Sequence, residues 1–161
     1  HRDLHSFPTR RSSDLNPELV LTIPELELPP SSNALVLREF STNRGSIDIL
    51  MVTDNADILL IETKLYRNPE SHRTVVAQAI DYVKSFSDTN IEALQSKFLQ
   101  SKYSDRQLAE SLFKKEDFCL ALQKNIRNGY YKVLIIGDKI RSNILGMVES
   151  IHSAPDRKSV V

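Results

Sequence analysis

The chain has 161 residues, and its 21 Lys+Arg balance 21 Asp+Glu to a formal net charge of zero. Hydrophobic residues make up 40% and charged residues 26%, the make-up of a globular domain with a real core. One cysteine, no tryptophan and no apolar run approaching ~18 residues exclude a disulfide scaffold, a cysteine zinc site and a membrane span. Neutral charge also excludes a strongly basic nucleic-acid binder, so any such contact must be a local patch.

The first fifteen residues, His1 to Leu15, have no apolar period and no hydrophobic core of a secretion signal. They resemble a translated sequencing adapter, and Asp156 to Val161 resemble the same adapter read on the other strand. The expected native segment is therefore 16–155, one domain of a parent chain longer at both ends, with a cytoplasmic location. It carries sixteen basic and eighteen acidic residues, net −2.

Asn16 to Leu21 reads as the last turn of a helix, and Pro24, Pro29 and Pro30 force an extended or looped stretch after it. Strands are expected at Ala34–Phe40, Ile47–Val52 (entered through Gly45) and Asp57–Leu65. Turn chemistry in Thr53-Asp54-Asn55-Ala56 makes a hairpin of the second and third. After a break at Arg67-Asn68-Pro69, Val75, Val76, Ala79, Ile80, Val83 and Phe86 recur at helical spacing across Ser71–Phe86. Ser87 to Lys115 is polar and helix-prone with weak stripes, and reads as a helical insert. Phe118–Ile126 is a further helix with Asn128-Gly129 as its cap. Tyr131–Ile136 is a buried type of strand, and Gly137-Asp138 turns it into a last helix with Ile144, Leu145, Val148 and Ile151 on one face. The order predicts an α/β domain: a mixed β-sheet with flanking helices.

Chemistry concentrates at Asp48, Glu62 and Lys64. Glu62 and Lys64 are two apart on one strand and share a face. If the hairpin turns about Asn55, Leu50 faces Leu60, Val52 faces Ile58, and Asp48 faces Glu62. Directly opposed side chains stand roughly 4.5–5.5 Å apart at Cβ. Two carboxylates that close repel, and a divalent ion removes the conflict. Mg²⁺ or Mn²⁺ suits a pair of carboxylates with water and a backbone carbonyl, here that of Thr63. Lys64 would assist the attacking water or offset charge on a phosphate. The plain alternative is a solvated salt pair on an edge strand. The apolar run Ile58–Ile61 argues against it, because it marks a buried strand.

Gly45-Ser46-Ile47-Asp48, then Ile61-Glu62-Thr63-Lys64, then Gln78 together resemble the PD-(D/E)XK, restriction-endonuclease-like nuclease superfamily. More narrowly, ETKLYRNPESHRTVVAQAIDYVKSF resembles a group of prokaryotic proteins sharing an E-x-K-L-x-R-N-P…Q-x-x-D-Y run, and Phe118 to Arg141 resembles the same group's tail. The resemblance implies a restriction-endonuclease-like core and metal-dependent cleavage of nucleic acid, DNA first. Asp48, Glu62 and Lys64 would take the catalytic positions, and Gln78 the helix position that orients them. Two departures stand out. Ile47 replaces the proline of the motif name, and the helix before the first strand, on which the superfamily often carries another acidic residue, is expected to be lost upstream.

Helix geometry places Gln78 about 60° outside an apolar stripe roughly 140° wide, within reach of the rim of the sheet. Tyr82, nearer the stripe, reads as packing. Arg67 and Arg73 are candidate phosphate contacts, in company with His72 and Lys84. Lys114, Lys115, Lys124 and Arg127 read as a solvated face, Cys119 as a small core residue. Gly137-Asp138 lacks a phosphate-loop pattern. The expected partners are nucleic acid and, as an allowed state, a second copy of the chain, but no membrane. The alternative function is a nucleic-acid-binding or regulatory module that keeps the fold without turnover.

Overall fold

Ile58, Leu59, Leu60 and Ile61 are all buried, and a strand apolar on both faces belongs inside a sheet. The computed structural model, which describes residues 17–30, 32–64, 71–137 and 158–160, places it there. Strands β1 (Ala34–Thr42), β2 (Gly45–Thr53) and β3 (Ile58–Lys64) form an antiparallel meander. Strand β4 (Tyr131–Gly137) pairs parallel with β3, and the three-residue β5 (Lys158–Val160) parallel with β4. Strand order follows chain order, so β1 is an edge and β3 lies in the middle. A solvated edge-strand salt pair at Glu62 is thereby excluded. Strand β5 falls in the segment read above as appended, and the last expected helix lies outside the described residues.

The β2–β3 turn sets the register. Thr53 accepts N–H bonds from Asn55 and Asp57 on its hydroxyl and donates that hydroxyl to the Asp57 carboxylate. Ala56 takes a left-handed conformation, and its carbonyl accepts Asn125 Nδ2 at 2.9 Å. The resulting pairs are Val52↔Ile58, Met51↔Leu59, Leu50↔Leu60 and Ile49↔Ile61. This is the register expected from apolar matching.

Helix α2 (Ser71–Phe86) crosses one face of the sheet and buries Val76, Ala79, Tyr82, Val83 and Phe86. The stretch expected as a weakly striped helical insert is helical. It folds into α3 (Ile91–Gln100) and α4 (Arg106–Phe113), which join α5 (Glu116–Asn128) and α2 in one core. The stripes looked weak because each helix is short and buries only two or three side chains: Leu94 and Phe98 from α3, and Ala109, Leu112 and Phe113 from α4. Side-chain caps delimit them, with Asn90 accepting from Glu92 and Ala93 N–H, and Asp105 from Leu108 N–H. Gly129 ends α5 in a left-handed conformation, φ 67°, as Asn128-Gly129 implied.

The opposite face carries Val36, Ile49, Met51, Leu59, Ile61 and Leu134. It is covered by α1 (Pro17–Val20) and a 3-10 turn at Pro24–Leu26. Lys132 pins this cover by donating to the Leu26 carbonyl at 2.7 Å. None of the described helices is long and apolar enough to cross a membrane.

Candidate functional site

Glu62 sits past the middle of β3, opposite Ile135 of β4, and is 3% exposed. A carboxylate that deep costs free energy unless polar or cationic partners compensate it. Its neighbour across the hairpin is Asp48. The ladder pairs end at Ile49↔Ile61, and the next row of the same register is Asp48 and Glu62.

Asp48 does not simply project at Glu62. One carboxylate oxygen accepts the Thr63 backbone N–H at 2.7 Å and the Thr63 hydroxyl at 2.8 Å. A side chain thus caps the open end of the ladder. In an extended strand a residue's N–H and C=O point to the same side, so the Thr63 carbonyl also opens toward β2. That is the carbonyl expected from sequence to complete a metal site.

A break in the pleat explains how Asp48 reaches Thr63. On β2, Ile49 belongs to the core under α1, whereas Ile47, two residues earlier, belongs to the core under α2. Strand β1 shifts phase at the same row: Leu35 and Leu37 face α2, and so does Phe40. Glu39 absorbs the shift with φ 52°, a conformation uncommon for a residue with a β-carbon. Asp48 lies on this row, where the two-residue alternation fails. The Leu35, Leu37, Phe40 spacing was the one trace of it in the sequence. Glu39 itself is exposed and does not enlarge the acidic pair. The described residues contain no group of three or more His, Cys, Asp or Glu arranged to hold a metal.

Helix α2 brings Tyr82 over this region, with Gln78 one turn earlier on the same helix. Gln78 is half-buried, and its Oε1 is buried with no hydrogen-bond partner among the described residues. Tyr82 is 6% exposed. Burial first, then the charges of Glu62, Asp48 and Asp81, push its phenol from 10.0 up to about 12. A phenol that feels both carboxylates marks where β2, β3 and α2 converge. The consequence for pH follows from the sign of the shift. The unfolded chain loses this proton near 10 and the folded chain near 12, so stability supported by the neutral phenol is complete below pH 10 and is lost as pH rises toward 12. Phenolate absorbance should show a component titrating near 12 that Tyr82→Phe reduces by one tyrosine.

Lys64 is placed by its backbone two residues beyond Glu62, opposite Gly137. Its side chain, and those of His72 and Arg73, lie outside the described residues, as does Arg67. Lys84, Lys114, Lys115, Lys124 and Arg127 are exposed. Cys119 is half-buried and donates to the Phe113 carbonyl at 3.4 Å. Burial, with a smaller effect of Glu92, raises its thiol, as suits a packing residue.

The oxygens here are the Asp48 and Glu62 carboxylates and the Thr63 carbonyl. With no thiol or imidazole among them, the set fits a hard cation of the Mg²⁺ or Mn²⁺ kind, which takes one or two carboxylates and keeps water. Compared with protein-family models, curated proteins and solved structures, the chain matches none.

Proposed function

We propose that the chain is a metal-dependent nuclease of the PD-(D/E)XK kind, with DNA as its first substrate. The observation that carries the reading is the burial of Glu62 on a central strand beside Asp48, at the row where the hairpin ladder opens. Placing an acidic residue inside a sheet is costly, and a site that concentrates charge for catalysis is a reason to retain it.

In this reading Asp48 and Glu62 hold one divalent cation, with the Thr63 carbonyl beside them. The bound cation would supply Lewis acidity toward water and phosphate. Thr63 holds the Asp48 carboxylate through two hydrogen bonds and so limits its swing. Gln78, one turn before Tyr82 on α2, would orient water at the site. Lys64 would face the phosphate and offset the charge that grows on it during cleavage. Arg67 and Arg73 would bind neighbouring phosphates on the strand.

Labelled single- and double-stranded DNA and RNA should be incubated with the protein in Mg²⁺, in Mn²⁺ and in EDTA. Cleavage that depends on the metal, and is lost in Asp48→Asn with the melting temperature retained, is the expected outcome. Cleavage unaffected by EDTA, or equal in Asp48→Asn, contradicts the reading. The second reading, a nucleic-acid-binding or regulatory module without turnover, draws on the pair of carboxylates standing without a third among the described residues. It requires low-salt binding of nucleic acid with no metal-dependent cleavage.

A further inference from the structure

The Q-x-x-D-Y run leaves Asp81 and Tyr82 without a part in the reaction, yet both reach one place. Strands β1 and β2 are joined by Asn43-Arg44, since Thr42 pairs with Gly45. Helix α2 meets this turn through three side chains. Asp81 accepts from Arg44 at 3.4 Å, Ser85 donates its hydroxyl to Asn43 Oδ1, and the Tyr82 ring lies on Gly45. A β-carbon at Gly45 would stand 3.2 Å from Tyr82 Cε1 and 3.7 Å from its hydroxyl oxygen. Gly45 also has φ 137°, which side-chain-bearing residues rarely adopt. The closeness of the ring and the backbone conformation therefore each favour glycine at this position.

These contacts differ in weight. The Arg44–Asp81 pair is about half exposed on both sides and adds little. Tyr82 and Ser85 are buried, so the ring and the Ser85 bond hold the turn. From Gly45, β2 runs three residues to Asp48, through the row where the pleat breaks. At a broken row the ladder no longer fixes strand direction by itself, and an external support gains leverage.

We propose that Tyr82 is a positioning residue: its ring clamps the β1–β2 turn to α2 and thereby holds Asp48 against Thr63. The consequence for metal binding rests on the nuclease reading, but the clamp does not. Phenylalanine preserves the ring face and serves as the conservative variant. Leucine removes the aromatic plane, and Gly45→Ala opens the same contact from the other side if Tyr82→Leu fails to fold.

The test has two arms on the full chain. In metal-free protein, amide exchange by NMR reads the Thr63 N–H that bonds Asp48, together with residues 43–49. Tyr82→Leu and Gly45→Ala should speed exchange there at least tenfold, with α5 and β4 amides unchanged, while Tyr82→Phe stays within about twofold of the parent. In the second arm Mn²⁺ affinity is titrated directly. Leucine and Gly45→Ala should weaken it about tenfold or more, and phenylalanine should restore it. Unchanged Thr63 exchange in both Tyr82→Leu and Gly45→Ala overturns the clamp. So does a Tyr82→Phe variant as fast as leucine, because the hydroxyl would then be the holding group. A parent protein that binds no Mn²⁺ defeats the nuclease reading, and the exchange arm still decides the clamp.

Discussion

Replacing Glu62 by glutamine is expected to lower metal-dependent cleavage by at least about 10²–10³-fold while leaving the fold intact. That magnitude is what losing one preorganised electrostatic group costs at a reacting phosphate or carbonyl. Glutamine keeps the size of the side chain and removes the charge, so the 3%-exposed position stays filled. Saturating Mn²⁺ separates the two further. A ligand at ~100 times its Kd stabilises the state that binds it by about 2.7 kcal/mol. For a chain of this size that corresponds to roughly 5–10 °C. The parent should show the rise and Glu62→Gln should not. Equal cleavage and equal metal-induced stabilisation in the two proteins would remove Glu62 from the site.

Phe86→Ala should produce the largest loss of stability. Phe86 is fully buried at the C-terminal end of α2. Its ring meets Phe40 of β1 edge-on at 5.7 Å between centroids and Tyr131 of β4 at 5.2 Å. It thus joins one helix to the edge strand and to the parallel strand across the sheet. Truncating a buried phenylalanine to alanine costs about 3–5 kcal/mol through lost transfer energy and the cavity left behind. Two edge-to-face pairs place Phe86 toward the upper end of that range. Against a total stability of ~5–15 kcal/mol, the variant should lose roughly 10–15 °C in melting temperature, read by circular dichroism or calorimetry. Phe86→Leu keeps most of the volume and should lose less than half as much. A drop of only a degree or two in Phe86→Ala would mean that α2 is not held to the sheet as described. Because Tyr82 lies one turn before Phe86, the alanine variant should also loosen the β1–β2 turn.

Strand β3 and helix α2 were legible from local pattern. Four successive apolar residues before Glu62 specified a strand buried on both faces, and the stripe from Val76 to Phe86 specified a helix laid on a sheet. The hairpin register was legible too, because a turn at Asn55 and the matching of Leu50 with Leu60 leave little freedom to slip. Asp48 and Glu62 could therefore be set on one row from the sequence. Helices α3 and α4 were only half legible. Their caps at Asn90 and Asp105 are local and readable, but their buried faces are two or three residues wide and gain meaning only against α5 and β1.

The amino-acid order by itself determined strands β1 to β4, helices α2 and α5, the hairpin register and the acidic row, since each depends on residues close in sequence and on periodicities of two and 3.6. Tertiary structure alone decided that the pleat breaks at Glu39 and Asp48, and that Asp81, Tyr82 and Ser85 reach the turn at 43–45. Those features join elements about forty residues apart, and local pattern carries no record of which distant surface a side chain will meet. The direction of the Asp48 carboxylate is set there as well: a strand fixes which way a Cβ points, but the Thr63 N–H at the end of the ladder fixes where the charge comes to rest.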